Sequence, residues 1–431
     1  MALSKKEYLV IQELQRDPFI TYNDLAERLE VSNTTIRNII NSLNSFSETE
    51  NISEDQRKRR GKRTPLNFVA LYDYKRLELK HASFLIECQD KTQMEIFENF
   101  CDLHPYTAFR SRIHGGLNGI YVIFHIPKEI YEFLIESLNI LKEKGLIKRY
   151  RPLVFDSYIY KVTLPDFGNF DPETSEWHFP FKNKAQKMPS LSEKNLISQI
   201  SKKDSQDYPI INNLDIIDIM ILREWGYGAG PRKLKSEILN ALTYKNQPDE
   251  IPDLYQNARN KVVLNRTILS NHIDKLMESD LIRDFIVAFD RERVLIYNRI
   301  FFQGTASLSF LQDLLELIEQ FDDDGKRVFP FETVLTIAQP NKKDYTTDFT
   351  WWLDIPPKES SFIMSWLFEQ VINLQTFLVS NRWEDTSNYP IWHENFIATK
   401  DSEVGGYWNV EKNYCLDIPL EELFKKHNIK E

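Results

Sequence analysis

The residues best suited to chemistry lie in two short stretches near the start of the chain. Asn33, Thr34, Arg37, Asn38 and Asn41 recur at helical spacing, with no acidic residue among them. Short amides, hydroxyls and one guanidinium can pair with base edges and phosphates in a major groove. Arg57, Lys58, Arg59, Arg60, Lys62 and Arg63 then place six cations in seven positions. Cations at that density neutralise a run of phosphates, and such binding weakens steeply with salt. The expected chemistry is therefore recognition of double-stranded DNA rather than bond making. No enzyme, catalytic residue, cofactor or metal is expected. GxxxxGK[ST], HExxH and GxSxG are absent, the eight histidines show no ligand spacing, and the three cysteines include no CxxC pair. Gly226-Tyr-Gly-Ala-Gly230 reads as a turn, because an apolar helix-like segment precedes it where a dinucleotide loop needs a strand.

The elements that must hold these residues are legible around them. Ser4-Lys-Lys-Glu7 has the form of a capping box, and Tyr8, Ile11 and Leu14 follow on one face of a first helix. Thr21 opens a second helix carrying Leu25, Ala26 and Leu29. A tight link at Glu30-Val31 leads to Ser32, the expected N-cap of a third helix that buries Ile36, Ile39, Ile40 and Leu43. Three short helices with a tight link before the third make a helix-turn-helix, and the basic run falls where a winged helix has its β-hairpin wing.

Residues from about 78 to 163 read as strand, helix, strand, strand, helix, strand, the βαββαβ order of a ferredoxin-like domain. A helix-turn-helix followed by this unit resembles the leucine-responsive regulatory protein / asparagine-regulator (Lrp/AsnC) family of transcription regulators. The residues that carry the resemblance are Asp24-Leu-Ala-Glu-Arg-Leu29, Val31-Ser-Asn-Thr-Thr-Ile36 and the Gly115-Gly116 loop with its following strand. The resemblance implies a DNA-binding head and a second domain that senses a small-molecule effector and self-associates. It would place an effector at His114, Gly115, Gly116 and Asn118, although the family's acidic loop position is taken here by Asn118-Gly119.

The pattern then returns. Leu264–Leu276 lines up with Val31–Leu43, and Leu353–Phe362 pairs without gaps with Phe124–Phe133, at offsets of 233 and 229. The expected fold class is therefore α+β, a tandem repeat of winged helix-turn-helix followed by ferredoxin-like domain. The expected parts are a first winged helix (1–66), a first ferredoxin-like domain (67–163) and a linker (164–213). A second winged helix (214–297, with an insertion at 243–263), a second ferredoxin-like domain (298–385) and a C-terminal tail (386–431) follow. Arg266 and Asn271 are the second head's candidate DNA contacts. The two sheets are expected to pack face to face within one chain, as a pseudo-dimer.

The whole chain of 431 residues carries a net charge of −10, which excludes a uniformly basic nucleic-acid wrapper but not a local basic surface. MALSKKEYLV is no secretory signal, and no stretch of ~18 apolar residues could span a bilayer. A cytoplasmic protein without membrane partners is expected. Two other functions fit parts of the pattern. One is a winged-helix adaptor that docks onto transcription machinery. The other is an enzyme like the siroheme decarboxylases, which share the two-domain fold, with Arg110, Arg112 and His114 near the hairpin to hold a carboxylated tetrapyrrole.

Overall fold

Short-range signals start the first helices where the capping residues stand. In the computed structural model, α1 (Lys5–Arg16) begins after Ser4, whose hydroxyl accepts from the Glu7 amide while the Glu7 carboxylate accepts from the Ser4 amide. Helix α2 (Tyr22–Arg28) is capped by Thr21, and α3 (Asn33–Asn44) by Ser32, whose Oγ accepts from the Thr35 amide at 3.1 Å. The structure describes residues 3–44, 66–185, 210–226 and 266–430, apart from positions 19, 158, 289–290, 342–344, 381–384, 389–394 and 399–404. The basic run 57–63, the second helix expected at 234–242 and the insertion 243–263 lie outside the described residues.

Strand β1 (Asn67–Tyr72) follows, and then the first βαββαβ group. This group comprises β2 (Lys80–Glu87), α4 (Lys91–Leu103), β3 (Thr107–Gly115), β4 (Gly119–Ile126), α5 (Tyr131–Glu143) and β5 (Arg149–Phe155). Strand β6 (Ile159–Thr163) and a small hairpin of β7 (Phe170–Asp171) and β8 (Glu176–Trp177) lead on to α6 (Ile216–Gly226), α7 (Arg266–Glu278) and β9 (Ile282–Ala288). A second group in the same order is β10 (Asn298–Ser307), α8 (Leu308–Glu319), β11 (Glu332–Ile337), β12 (Thr346–Ile355), α9 (Pro357–Gln370) and β13 (Ile372–Val379). Strands β14 (Thr386–Asn388), β15 (Phe396–Ala398) and β16 (Gly406–Trp408) and helix α10 (Ile418–His427) complete the chain.

These elements form two compact units, the first from Met1–Leu77, Pro209–Arg293 and Tyr389–Asn409, the second from Glu78–Tyr208, Val294–Asn388 and Val410–Glu431. In the first unit, β1 and β9 make an antiparallel two-stranded ribbon, with Phe68 opposite Val287 and Ala70 opposite Phe285. The sequence expectation puts residues 67–77 in the first ferredoxin-like domain, but they belong with the helix-turn-helix elements. The reason is non-local pairing: the partner of β1 lies more than two hundred residues away. Arg283 reaches Asp73 across the same ribbon. Strands β15 and β16 also pair here, and Trp408 donates its indole N–H to the Leu77 carbonyl at 2.6 Å.

The second unit holds one sheet in the order β5-β2-β4-β3-β13-β10-β12-β11-β6, with β14 beside β3. Each βαββαβ group sends its next strand to the other: β6 pairs with β11, and β14 with β3. Inner-face side chains of both groups share one core. Leu85, Ile113, Tyr121 and Ile123 pack with Phe301, Trp352, Phe377 and Val379, and the Tyr121 and Phe301 rings lie 4.3 Å apart. Burial of this apolar area holds the two groups together. The expected linker accordingly begins later than residue 164. Phe167, Phe170 and Phe181 are buried, and Phe181 packs edge-on against Phe329 and Trp366. Aromatic side chains outweigh the Pro and Ser content of this stretch, because each buries a large apolar area. The expected tail is also divided: β14 completes the sheet, and α10 packs on α4, with Lys426 donating to the Asn99 side chain at 2.6 Å. Cys88, Cys101 and Cys415 are all buried.

Candidate nucleic-acid interface

Helix α3 sets the interface. Ile36, Ile40 and Leu43 are buried beneath it, at the positions the apolar spacing predicts. The same spacing turns Thr34, Arg37, Asn38, Asn41 and Ser42 outward, where all five are exposed. Asn33 is half-buried. Its side-chain oxygen accepts from Arg37 Nε at 3.0 Å and its amide donates to Asn23 on α2. Arg37 is thus aimed by a neutral amide, with no ion pair to a carboxylate among the described residues. Arg16 and Arg28 differ, since both are paired with Glu13. The link between α2 and α3 turns at Glu30, which takes a left-handed φ of 53°, and Val31 donates back to the Ala26 carbonyl at 2.9 Å.

A buried acid fixes the orientation of α3. Glu7 lies within the fold and accepts from Ser42 Oγ on α3 at 3.2 Å and from Arg293 Nη2 at 3.0 Å. Burial pushes the Glu7 carboxyl up, but the Ser4 and Arg293 hydrogen bonds outweigh it and hold the group below the usual carboxylate range. The capping box made Glu7 visible in the sequence as a helix start. Its second task, gripping the third helix, depends on packing that no local pattern carries.

The elements α6 and α7 repeat this arrangement with different chemistry. Asp215 and Asp218 exchange backbone amide bonds at the start of α6. Asp218 is completely buried and accepts from His272 Nδ1 at 2.8 Å and Lys275 Nζ at 2.5 Å, both on α7. The bond to Asp218 raises the His272 pKa above the ordinary imidazole value, against the opposing pull of burial. Leu269, Ile273 and Leu276 are buried under α7, and Thr267 and Asn271 are exposed. The side chain of Arg266 lies outside the described residues. Asp215, Asp218 and His272 also bring three potential metal-ligand atoms within 4.8 Å of one another, a grouping the sequence did not reveal. The ammonium of Lys275 already supplies the counter-charge there.

The turn at 114–118 has a packing role. His114 is exposed and its Nδ1 lies 3.3 Å from Asn118 Oδ1. Gly115 has a φ of +130°, pairs with Phe377 of β13, and would press a Cβ to 3.2 Å from the Thr376 carbonyl. Gly116 lies against the Phe377 ring. The glycines admit the neighbouring strand. Arg110 and Arg112 are committed as well. Arg110 is buried, with Glu98 at 3.0 Å and Asp102 at 3.2 Å, while Arg112 pairs with Glu98 at 2.7 Å and Asp385 at 2.9 Å. Their charge is met by carboxylates of the protein itself.

Residues 3–45 match the winged helix-turn-helix DNA-binding family. No curated protein matches the chain. Among solved structures, the siroheme decarboxylase NirDL aligns over 98% of this chain and 99% of its own, at 12% identity and a TM-score of 0.45. The leucine response regulatory protein LrpA of Mycobacterium tuberculosis aligns over 35% of this chain and 90% of its own, at 15% identity and a TM-score of 0.25. A transcriptional regulator of Neisseria meningitidis, solved with L-Met, covers 36% of this chain and 89% of its own, at 16% identity and a TM-score of 0.26. The chain thus carries an N-terminal winged helix-turn-helix in a mixed α and β fold. The expectation that it is not an enzyme does not stand, because the structure that aligns along nearly its full length is that of an enzyme. No described helix is long and apolar enough to cross a membrane.

Proposed function

We propose that this protein is a sequence-specific DNA-binding regulator that reads duplex DNA through α3. The observation that carries the reading is the exposed face of α3. Among the described residues, Thr34, Arg37, Asn38 and Asn41 stand on it with no carboxylate, and an amide orients Arg37. The match of residues 3–45 to a DNA-binding family supports it. Asn33 positions Arg37, and Arg57, Lys58, Arg59, Arg60, Lys62 and Arg63 supply phosphate contacts. The finer reading is a tandem duplication acting as an intrachain pseudo-dimer. It is supported by two βαββαβ groups that share a core and exchange β6 and β14.

The test is binding of the full chain to duplexes selected from a random pool, followed by fluorescence anisotropy across salt concentrations. Arg37→Ala should weaken the selected site about 10- to 100-fold, the scale of one lost base-reading guanidinium. Neutralising the six cations of 57–63 should lower the salt slope by up to ~5, at ~0.9 per phosphate contact. If both variants bind like the parent, or no duplex is selected, the reading is wrong.

A further inference from the structure

In the first unit the pair α1 and α3 and the pair α6 and α7 share a plan, and the outer faces of α3 and α7 differ in charge. In both, an acid near the start of the first helix grips the third helix: Glu7 holds Ser42, and Asp218 holds Lys275. With Val31 set against Leu264, this grip aligns Ser42 with Lys275, Arg37 with Ser270, Asn38 with Asn271 and Asn41 with Asp274. Most of these changes move the second face away from DNA, although Arg266 stands where the first head has Asn33. The guanidinium is replaced by a hydroxyl, a base-reading amide by a carboxylate, and the added lysine is drawn inward to a buried acid.

What remains exposed along α7 is Thr267, Asn271, Asp274, Met277 and Glu278, a net charge of −2. The exposed Thr34, Arg37, Asn38, Asn41 and Ser42 on α3 carry +1. Two of the cations that follow α7 are already paired. Arg283 is paired with Asp73 and Arg293 with Glu7. A helix laid in a major groove sits between two phosphate rows, so carboxylates on its outer face meet like charge there.

We infer that the chain reads DNA with its first head alone, so that its target is a single asymmetric site and not an inverted repeat. The inference rests on the DNA-binding reading above. It departs from the symmetric two-head arrangement that a pseudo-dimer suggests. Arg266 and Asn271 then have no base to read.

The experiment selects duplexes with the full chain, measures chains per duplex by analytical ultracentrifugation, and maps contacts by hydroxyl-radical footprinting. The expected result is a motif without two-fold symmetry, one chain per duplex and one protected patch. Asn271→Ala and Thr267→Ala, both at exposed positions, should bind within twofold of the parent, while Arg37→Ala loses tenfold or more. One chain protecting two patches about one helical turn apart would overturn the inference and leave the DNA-binding reading intact. So would a loss in Asn271→Ala as large as that in Arg37→Ala. Selection of no duplex at all would overturn both.

Discussion

Asp218→Asn probes the buried latch between α6 and α7. The carboxylate is fully buried and accepts from His272 at 2.8 Å, Lys275 at 2.5 Å and the Asp215 amide at 2.9 Å. An amide of the same shape still accepts the backbone bond but loses the charge that holds the other two. Breaking a buried ion pair costs ~3–5 kcal/mol. Lys275 keeps a 37% exposed side chain, so water recovers part of its solvation, and about 2–3 kcal/mol is the expected loss. That corresponds to about 30- to 150-fold faster opening, at ~1.4 kcal/mol per decade. The latch also has a pH window. Burial pushes the Asp218 carboxyl up, but the His272 and Lys275 bonds outweigh it, and the net value is lowered. Its contribution is present above the ordinary carboxylate range and is lost as pH falls through the lowered value. The His272 value is raised, chiefly by Asp218, so its contribution is complete below about 6.5 and lost as pH rises through the raised value. Asp215 is raised by burial and by Asp218, so its ionisation also weakens the cluster as pH climbs. Hydrogen exchange of peptides covering 216–226 and 266–278, corrected for intrinsic rates, reads the latch directly. Protection should be greater at pH 6 than at pH 8.5, and Asp218→Asn should lose both the protection and its pH dependence. Exchange in the variant within twofold of the parent at pH 6 would refute the reasoning.

Two substitutions test the second unit. Gly119→Ala would place a Cβ 1.8 Å from the Ile86 carbonyl oxygen, between β4 and β2, and should destabilise by about 3 kcal/mol or more in urea unfolding. A loss under ~1 kcal/mol would mean the strands separate more easily than the pairing implies. Phe301→Ala removes a fully buried ring from the core shared by the two βαββαβ groups and should cost about 3–5 kcal/mol. An unchanged unfolding midpoint would show that this core does not bind the groups together.

Much of the first head was legible because its signals are local. Ser4, Thr21 and Ser32 cap helices by bonds that span three residues, and Ile36, Ile40 and Leu43 fall on one face by helical periodicity alone. The βαββαβ order could be read the same way, from alternation and apolar spacing. Partners of strands could not. Strand β1 looked like the start of a sheet domain but pairs with β9, and β6 and β14 cross to the opposite groups. Strand pairing joins residues far apart in the chain, so composition near a strand does not name its neighbour.

Side chains divide along the same line. By itself, the sequence determined which faces of α3 and α7 point outward and what charge each carries, since helix geometry follows from residue spacing. Only the tertiary structure decided that Asp218 is buried and draws Lys275 and His272 to itself. It also decided that Glu98, Asp102 and Asp385 take up the charge of Arg110 and Arg112. Whether a charged group is available to a ligand depends on which opposite charge the fold brings within reach, and that is settled by contacts between segments remote in the chain.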